Sequence, residues 1–154
     1  MNKIKRGIAT SILSIGIAQG MKIFTYKVQT GEWDVKKAFE SGGMPSSHSA
    51  GVSALATYLA ANKGVLHTET ALATTFGIIV MYDAQGIRRH TGEIAQLVND
   101  LKIKFDDLSG DFPSFKVVDS DTELEEMLGH QPTEVLGGAA LGILIGLISA
   151  KLED

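Results

Sequence analysis

The chain contains no cysteine, which excludes disulfides, a thiol nucleophile and cysteine-ligated zinc. Covalent catalysis, if there is any, must run through Ser, Thr, His, Lys or a carboxylate. Only three prolines occur, too few for a proline-rich disordered or collagen-like chain. Excess positive charge is also lacking: 14 Lys and Arg against 18 Asp and Glu leave a net charge of −4. No broad polyanion-binding surface and no nucleic-acid partner is therefore expected. Glycine, by contrast, is abundant at 17 of 154 residues, above the usual ~7%. The length suits a single domain, 1–154.

Apolar residues are segregated. The stretches Gly7–Tyr26, Ser49–Ala61, Thr70–Tyr82 and Val135–Ala150 contain no Asp, Glu or Arg, and their only Lys is Lys22. Each reads as a helix, so the expected fold class is all-α, a bundle of four apolar helices. A bilayer-spanning helix needs about 20 apolar residues; the first stretch comes close and the others are shorter, which leaves a soluble bundle as the alternative. Glycine spacing favours lipid. Gly138, Gly142 and Gly146 recur at every fourth position and Ala150 completes the series, giving one helix face with nothing larger than a methyl group. In water a mid-helix glycine costs roughly 1 kcal/mol relative to alanine, whereas small-xxx-small faces are a common packing device between membrane helices. Gly16 and Gly20 form a shorter version. The expectation is an integral cell-membrane protein in contact with membrane lipids, with a homo-oligomer through small-residue faces as an option. Lys3, Lys5 and Arg6 before an apolar run also fit a signal peptide. Because the run continues past Ala18 and Gly20 through Ile23 and Phe24, it is read as a retained first helix.

The main polar region is Asp83 to Glu134. Up to Leu101 it keeps a helical period through Ile87, Ile94, Leu97, Val98 and Leu101, so an amphipathic helix is expected to continue beyond the third apolar stretch. From Lys102 to Leu128 eight carboxylates face three lysines. This polar insertion (102–128) is expected to be an acidic surface loop with a short helix near Thr122–Leu128.

If the four apolar helices alternate in direction, as short connections favour, the unusual polar residues gather on one side. Lys22 lies near the end of the first. Gly42-Gly43-Met44-Pro45-Ser46-Ser47-His48-Ser49 opens the second, Asp83 with Arg88 and Arg89 follows the third, and Gly129-His130-Gln131-Pro132-Thr133-Glu134 opens the fourth. A Pro and Ser-rich helix start offers free N–H groups and the helix dipole to an anion, and equally makes an ordinary cap. His48 at that turn is placed to give a proton to a leaving oxygen. His130 and Glu134 are i and i+4, so a carboxylate can hold one ring nitrogen and leave the other free to attack or accept a proton; a first-turn Glu complementing the dipole is the plainer reading. Arg88 and Arg89 suit phosphate or a membrane-boundary anchor. Together His48, Asp83, Glu93, His130 and Glu134 could also bind a divalent cation.

Gly-Gly-Met-Pro-Ser-Ser-His-Ser-Ala (42–50), Tyr-Asp-Ala-Gln-Gly-Ile-Arg-Arg (82–89) and Gly-His-Gln-Pro-Thr-Glu-Val (129–135) resemble the divergent branch of the type-2 phosphatidic acid phosphatase superfamily, the acid phosphatase/vanadium-dependent haloperoxidase-related proteins. The resemblance covers nearly the whole chain. It implies hydrolysis of a lipid phosphate or related phosphomonoester through a phosphohistidine, without a metal or other cofactor. His130 would be the nucleophile, Glu134 its orienting carboxylate and His48 the general acid. Ser46, Ser47, Arg88 and Arg89 would hold the phosphate, with Lys22 standing in for the family's lysine although no Lys-x6-Arg-Pro motif occurs. Ser47 stands where the parent motif has Gly and Glu134 where it has Asp, and the Arg pair is much farther from His130 in sequence than in the parent. These departures fit a second possibility, a non-catalytic membrane protein that retains an anion-binding site; a divalent metal-binding membrane protein is a third.

Overall fold

The computed structural model describes residues 3–111, 124, 126 and 129–152. Five α-helices follow one another: α1 (Lys3–Thr30), α2 (Ser47–Lys63), α3 (Thr68–Gln85), α4 (Ile87–Asp111) and α5 (Pro132–Lys151), with a short 3-10 turn at Val35–Phe39 between the first two. No strand occurs among the described residues. The four apolar stretches are the cores of α1, α2, α3 and α5, so the protein is an all-α bundle of four apolar helices with one amphipathic helix added. The added helix differs from the expectation in two ways. Gly86 separates it from α3, with its N–H donating to the Tyr82 carbonyl 2.9 Å away, and it runs to Asp111, well into the segment expected to be a loop. The short helix expected near Thr122–Leu128 lies outside the described residues, save that Leu124 and Glu126 are placed.

α2 is the centre of the bundle and packs most extensively on α5, then on α1 and α3. The α2–α5 seam depends on missing side chains. A Cβ at Gly138 would overlap the Ser46 carbonyl oxygen and one at Gly142 the Ala50 carbonyl oxygen, while at Gly146 it would stand 2.7 Å from the Ala54 carbonyl oxygen. Backbone therefore meets backbone along three turns, as the glycine spacing implied. From α1, Ser14 Oγ donates to the same Ala50 carbonyl at 3.0 Å and Ser11 Oγ to the Gly51 carbonyl at 2.9 Å. These bonds tie α1 to α2 through hydroxyls small enough to let the helices approach.

The distribution of side chains is inverted relative to a water-soluble bundle. The buried residues are mostly small or polar: Ser14, Ala18, Ser49, Ala50, Ala54 and Ala150, with Tyr58 the largest fully buried side chain. Large apolar groups lie outside, among them Ile8, Ile12 and Leu13 on α1, Phe76, Ile78 and Ile79 on α3, and Leu136, Leu144, Leu147 and Ile148 on α5. A contiguous apolar exterior of this kind marks a surface meant for lipid or protein. Lys5–Thr30 and Pro132–Lys151 are also long and apolar enough to cross a bilayer.

The seam gives a direct test. Gly142→Ala puts a methyl group against backbone that cannot rotate away and should cost about 1–3 kcal/mol or more. Gly16→Ala meets nothing within 4 Å and should be neutral or stabilising by up to about 1 kcal/mol. Thermal unfolding in detergent micelles should rank Gly142→Ala well below the native protein and Gly16→Ala at or above it; equal midpoints would reject the seam.

Candidate active site

Every fourth residue of α1 faces the interior at Thr10, Ser14, Ala18 and Lys22, all buried. The last carries this stripe to the end of the bundle where the polar clusters collect. Lys22 is only 3% exposed, and its Nζ donates to the Glu40 carbonyl at 2.8 Å. Three residues on, Thr25 Oγ1 donates to the Met44 carbonyl at 2.6 Å. Both bonds hold the Glu40–Met44 connection down on α1. Gly43 lies over the Lys22 stem at φ +91°, where an added Cβ would come within 3.8 Å of Lys22 Cδ; positive φ at this turn is why glycine belongs there.

The connection then enters α2. Ser46 is the N-cap, fully buried, and its Oγ accepts from the Ser49 N–H at 3.3 Å and from Ser49 Oγ at 3.1 Å. Its own N–H donates to the Glu134 carbonyl at 3.0 Å. This stitches the start of α2 to the first turn of α5.

α5 begins with Pro132 at its first turn and Gln131 as N-cap, so His130 lies just before the helix. The i, i+4 contact forms nevertheless. His130 Nδ1 is 3.0 Å from Glu134 Oε2, and the same oxygen accepts the Gln131 N–H at 3.1 Å. The imidazole is 2% exposed. Its Nε2 is one of two buried side-chain polar atoms without a hydrogen-bond partner among the described residues, the other being Gln19 Oε1. The His130 N–H donates to the Ala84 carbonyl at 2.8 Å, satisfying a free acceptor at the end of α3. Gly129, at φ +85°, packs so tightly on the Arg88–Arg89 backbone that a Cβ would overlap Arg89 N. The histidine and the arginine pair are thereby brought together across their long sequence separation.

These elements surround a cavity of ≈ 510 Å³ lined by Lys22, Arg89, His130 and Glu134, with the Gly42–Met44 turn at one wall. His48 lies just beside it, exposed, its ring edge-to-face with that of His130 at a centroid distance of 5.9 Å. Arg88 is not among the lining residues and pairs with Asp83 at 2.7 Å. Arg89 does line the cavity and pairs with Glu93 at 3.0 Å. Ser46 and Ser47 are buried at the helix start without lining the cavity. No group of three or more His, Asp or Glu converges in metal-binding geometry among the described residues; Asp83 and Glu93 face arginines instead.

Several lining residues were not singled out from the sequence. Tyr26 and Gln29 extend the polar face of α1 that contains Lys22, at spacings of four and seven, and that period was readable. Lys37 and Glu40 come from the 3-10 turn and its end, where they pair at 2.7 Å; this hydrogen bond holds Lys37 above the ordinary lysine pKa, so it remains a cation. Gly92 and Gln96 lie on α4 beside Glu93, which the sequence offered only as a metal ligand. Glu126 is held by the Asn99 amide, whose Nδ2 donates to Glu126 Oε1 at 2.8 Å and to the Leu124 carbonyl at 2.9 Å.

The model of the divergent PAP2 family matches residues 4–145, so the chain belongs to that family. It is 38% identical over 146 residues to the uncharacterized membrane protein YuiD of Bacillus subtilis (strain 168), covering 93% of this chain and 92% of the relative. No solved structure matches it. Family and apolar exterior together describe a PAP2-related membrane protein.

The Glu134 contact fixes a tautomer that can be measured. With the carboxylate accepting, the neutral ring carries its proton on Nδ1 and its lone pair on Nε2. Nitrogen-15 NMR of ring-labelled protein, read on the neutral imidazole, should show His130 as the Nδ1–H form. Glu134→Gln should shift it toward a mixture. A native spectrum dominated by Nε2–H would contradict the arrangement.

Proposed function

We propose that the protein is an integral cell-membrane phosphatase that hydrolyses a lipid phosphate or related phosphomonoester through a phosphohistidine on His130. The observation that carries this reading is the imidazole itself: Nδ1 is held by a locked carboxylate, and Nε2 is buried and unpartnered at a cavity that also presents Lys22 and Arg89. A buried nitrogen left without a partner is costly, and a site that makes a bond there accounts for it.

In the first half-reaction the His130 Nε2 lone pair forms a bond to phosphorus while the phosphorus–oxygen bond to the alcohol breaks. Lys22 and Arg89 offset the charge on the phosphoryl oxygens. Arg89 exchanges its contact with Glu93 for the phosphate, and Glu134 stabilises the ring as it becomes positive. His48, beside His130, gives its proton to the departing alkoxide. In the second half-reaction His48, now neutral, takes a proton from water; the resulting hydroxide forms the new phosphorus–oxygen bond and His130 leaves. Ser47 and the first free N–H groups of α2 lie next to His48 and would receive a phosphoryl oxygen as it moves toward that side, with Arg88 and Ser46 supporting from outside the cavity.

A second reading is a non-catalytic family member that binds an anion. Ser47 in place of the parent motif's Gly, and the position of His48 beside the cavity and not among its lining residues, favour it. Gly16 and Gly20, which meet nothing within 4 Å, would leave α1 a small-residue face for a second copy.

Purified protein in detergent or vesicles should turn over phosphatidate, polyprenyl phosphate or a chromogenic phosphomonoester, and His130→Ala should reduce this by at least about 10³-fold. His48→Ala should cost about 10²–10⁴-fold on an alkyl phosphate and far less on p-nitrophenyl phosphate, whose leaving group needs no proton. Turnover that survives both substitutions would overturn the mechanism, and tight vanadate or phosphate binding without turnover would favour the second reading.

A further inference from the structure

α4 is the one helix of the five with strong two-sidedness. Advancing 100° per residue, Ile87, Ile94, Leu97, Val98, Leu101, Phe105 and Leu108 fall on one face, and all seven are exposed. The opposite face carries Arg89, Gly92, Glu93 and Gln96, which line the cavity, followed by Asp100, Ile103 and Asp107, with Ile103 its one large apolar residue. The cavity therefore fixes which way α4 is turned, and that setting directs the apolar stripe away from the protein. Among the described residues α3 is the only helix on which α4 packs substantially, near their junction at Gly86.

Two further observations identify what covers the stripe. Phe76, Ile79 and Tyr82 are exposed on α3 just ahead of Ile87 in the chain, so large apolar side chains stand outside on both sides of the Gly86 junction. Lys104 also stands on one edge of the stripe, where a long cationic side chain can keep its stem on apolar surface and its ammonium group at a lipid phosphate. We propose that α4 lies in the membrane interface, with its Ile94–Leu101 face inserted among the acyl chains and its Arg89–Gln96 face roofing the cavity at the level of the headgroups. The lipid surface is then a structural partner of the site: it holds in place the helix that supplies Arg89, Glu93 and Gln96. This rests on the membrane reading of the bundle and does not require phosphatase activity.

The absence of native cysteine makes site-specific labelling clean. Single substitutions Leu101→Cys and Ile94→Cys on the apolar face, Asp100→Cys and Asp107→Cys on the polar face, and Leu144→Cys on the exterior of α5 would each carry an environment-sensitive fluorophore. The full chain would be reconstituted in phosphatidylcholine–phosphatidylglycerol vesicles containing phospholipids spin-labelled on the acyl chain. All five positions are exposed, and circular dichroism checks that each variant folds. The expected result is blue-shifted emission and several-fold stronger quenching by the spin-labelled lipid at 94 and 101 than at 100 and 107. Equal quenching on both faces would overturn the proposal. So would labels at 94 and 101 that are shielded from aqueous iodide yet untouched by the lipid quencher, since a protein partner or second copy would then cover the face. Leu144 separates the two levels of inference: quenching there without quenching at 94 and 101 rejects the placement of α4 alone, and no quenching at Leu144 rejects the membrane bundle itself.

Discussion

The backbone contact between α2 and α5 is the constraint from which the candidate site follows. Three glycines in successive turns let α5 rest directly on the carbonyls of Ser46, Ala50 and Ala54. This proximity puts the first turn of α5 beside the start of α2, so that the Ser46 N–H reaches the Glu134 carbonyl. With the backbone of Glu134 anchored, its side chain is free to lock the Gln131 N–H and His130. A methyl group in the seam would separate two helix starts whose adjacency defines the site. Each glycine carries a helix-propensity cost of roughly 1 kcal/mol in water, and close packing over three turns is the return on it. In lipid, where bulk hydrophobicity does not drive one helix onto another, packing and interhelical hydrogen bonds have to hold the bundle, and the hydroxyls of Ser11 and Ser14 on α2 carbonyls fit that requirement.

The same economy explains how charge is tolerated next to such an apolar bundle. Lys22 is reached by a stripe of small residues on α1, and its ammonium is anchored by a carbonyl at the bundle end. Arg88, Arg89 and Lys37 each have a carboxylate partner within 3.0 Å. The exception in this polar end is a neutral atom, His130 Nε2, buried and unpaired. The ions are thus satisfied within the protein while one buried imidazole nitrogen is left open at a residue that lines the cavity. The cavity around it carries both signs of charge, so an anion entering it finds cations that must be released from their carboxylates.

Much of this was legible in the sequence because it depends on period and spacing. Four charge-poor stretches became four helices, and the fourfold glycine period became the seam. The alternation of helix direction correctly grouped Lys22, the Gly-Gly turn, Arg89 and His130 at one end. What period cannot read is which of two neighbouring groups a local bond will claim. Ser46 looks like an anion ligand, yet an N-cap and an interhelical bond use both of its polar groups. Arg88 and Arg89 look equivalent, and the break at Gly86 resets the helix phase so that only the second lines the cavity. The charge run after Leu101 reads as a loop, although Leu101, Phe105 and Leu108 keep the apolar period and α4 continues through it. Lys37 and Glu40 were hidden because a 3-10 turn has no long-period signature.

The departures from the parent motifs acquire a physical explanation from this geometry. Because Pro132 starts α5, His130 stands ahead of the helix and its ring is set back from the ideal i, i+4 position. An aspartate at 134 would place its carboxylate about one carbon–carbon bond, ~1.5 Å, closer to the backbone. The extra methylene of Glu134 lets a single oxygen accept from Gln131 N and His130 Nδ1 together. Glutamate at this helix start thus joins both groups through one carboxylate oxygen. The long sequence separation between the arginines and His130 has a similar resolution. Gly129 has no Cβ, its backbone adopts positive φ, and it lies on the backbone of Arg88 and Arg89, so residues far apart in sequence meet at the first turn of α4. A short linear motif has been replaced by a tertiary contact, and α4 gains room to extend beyond the site.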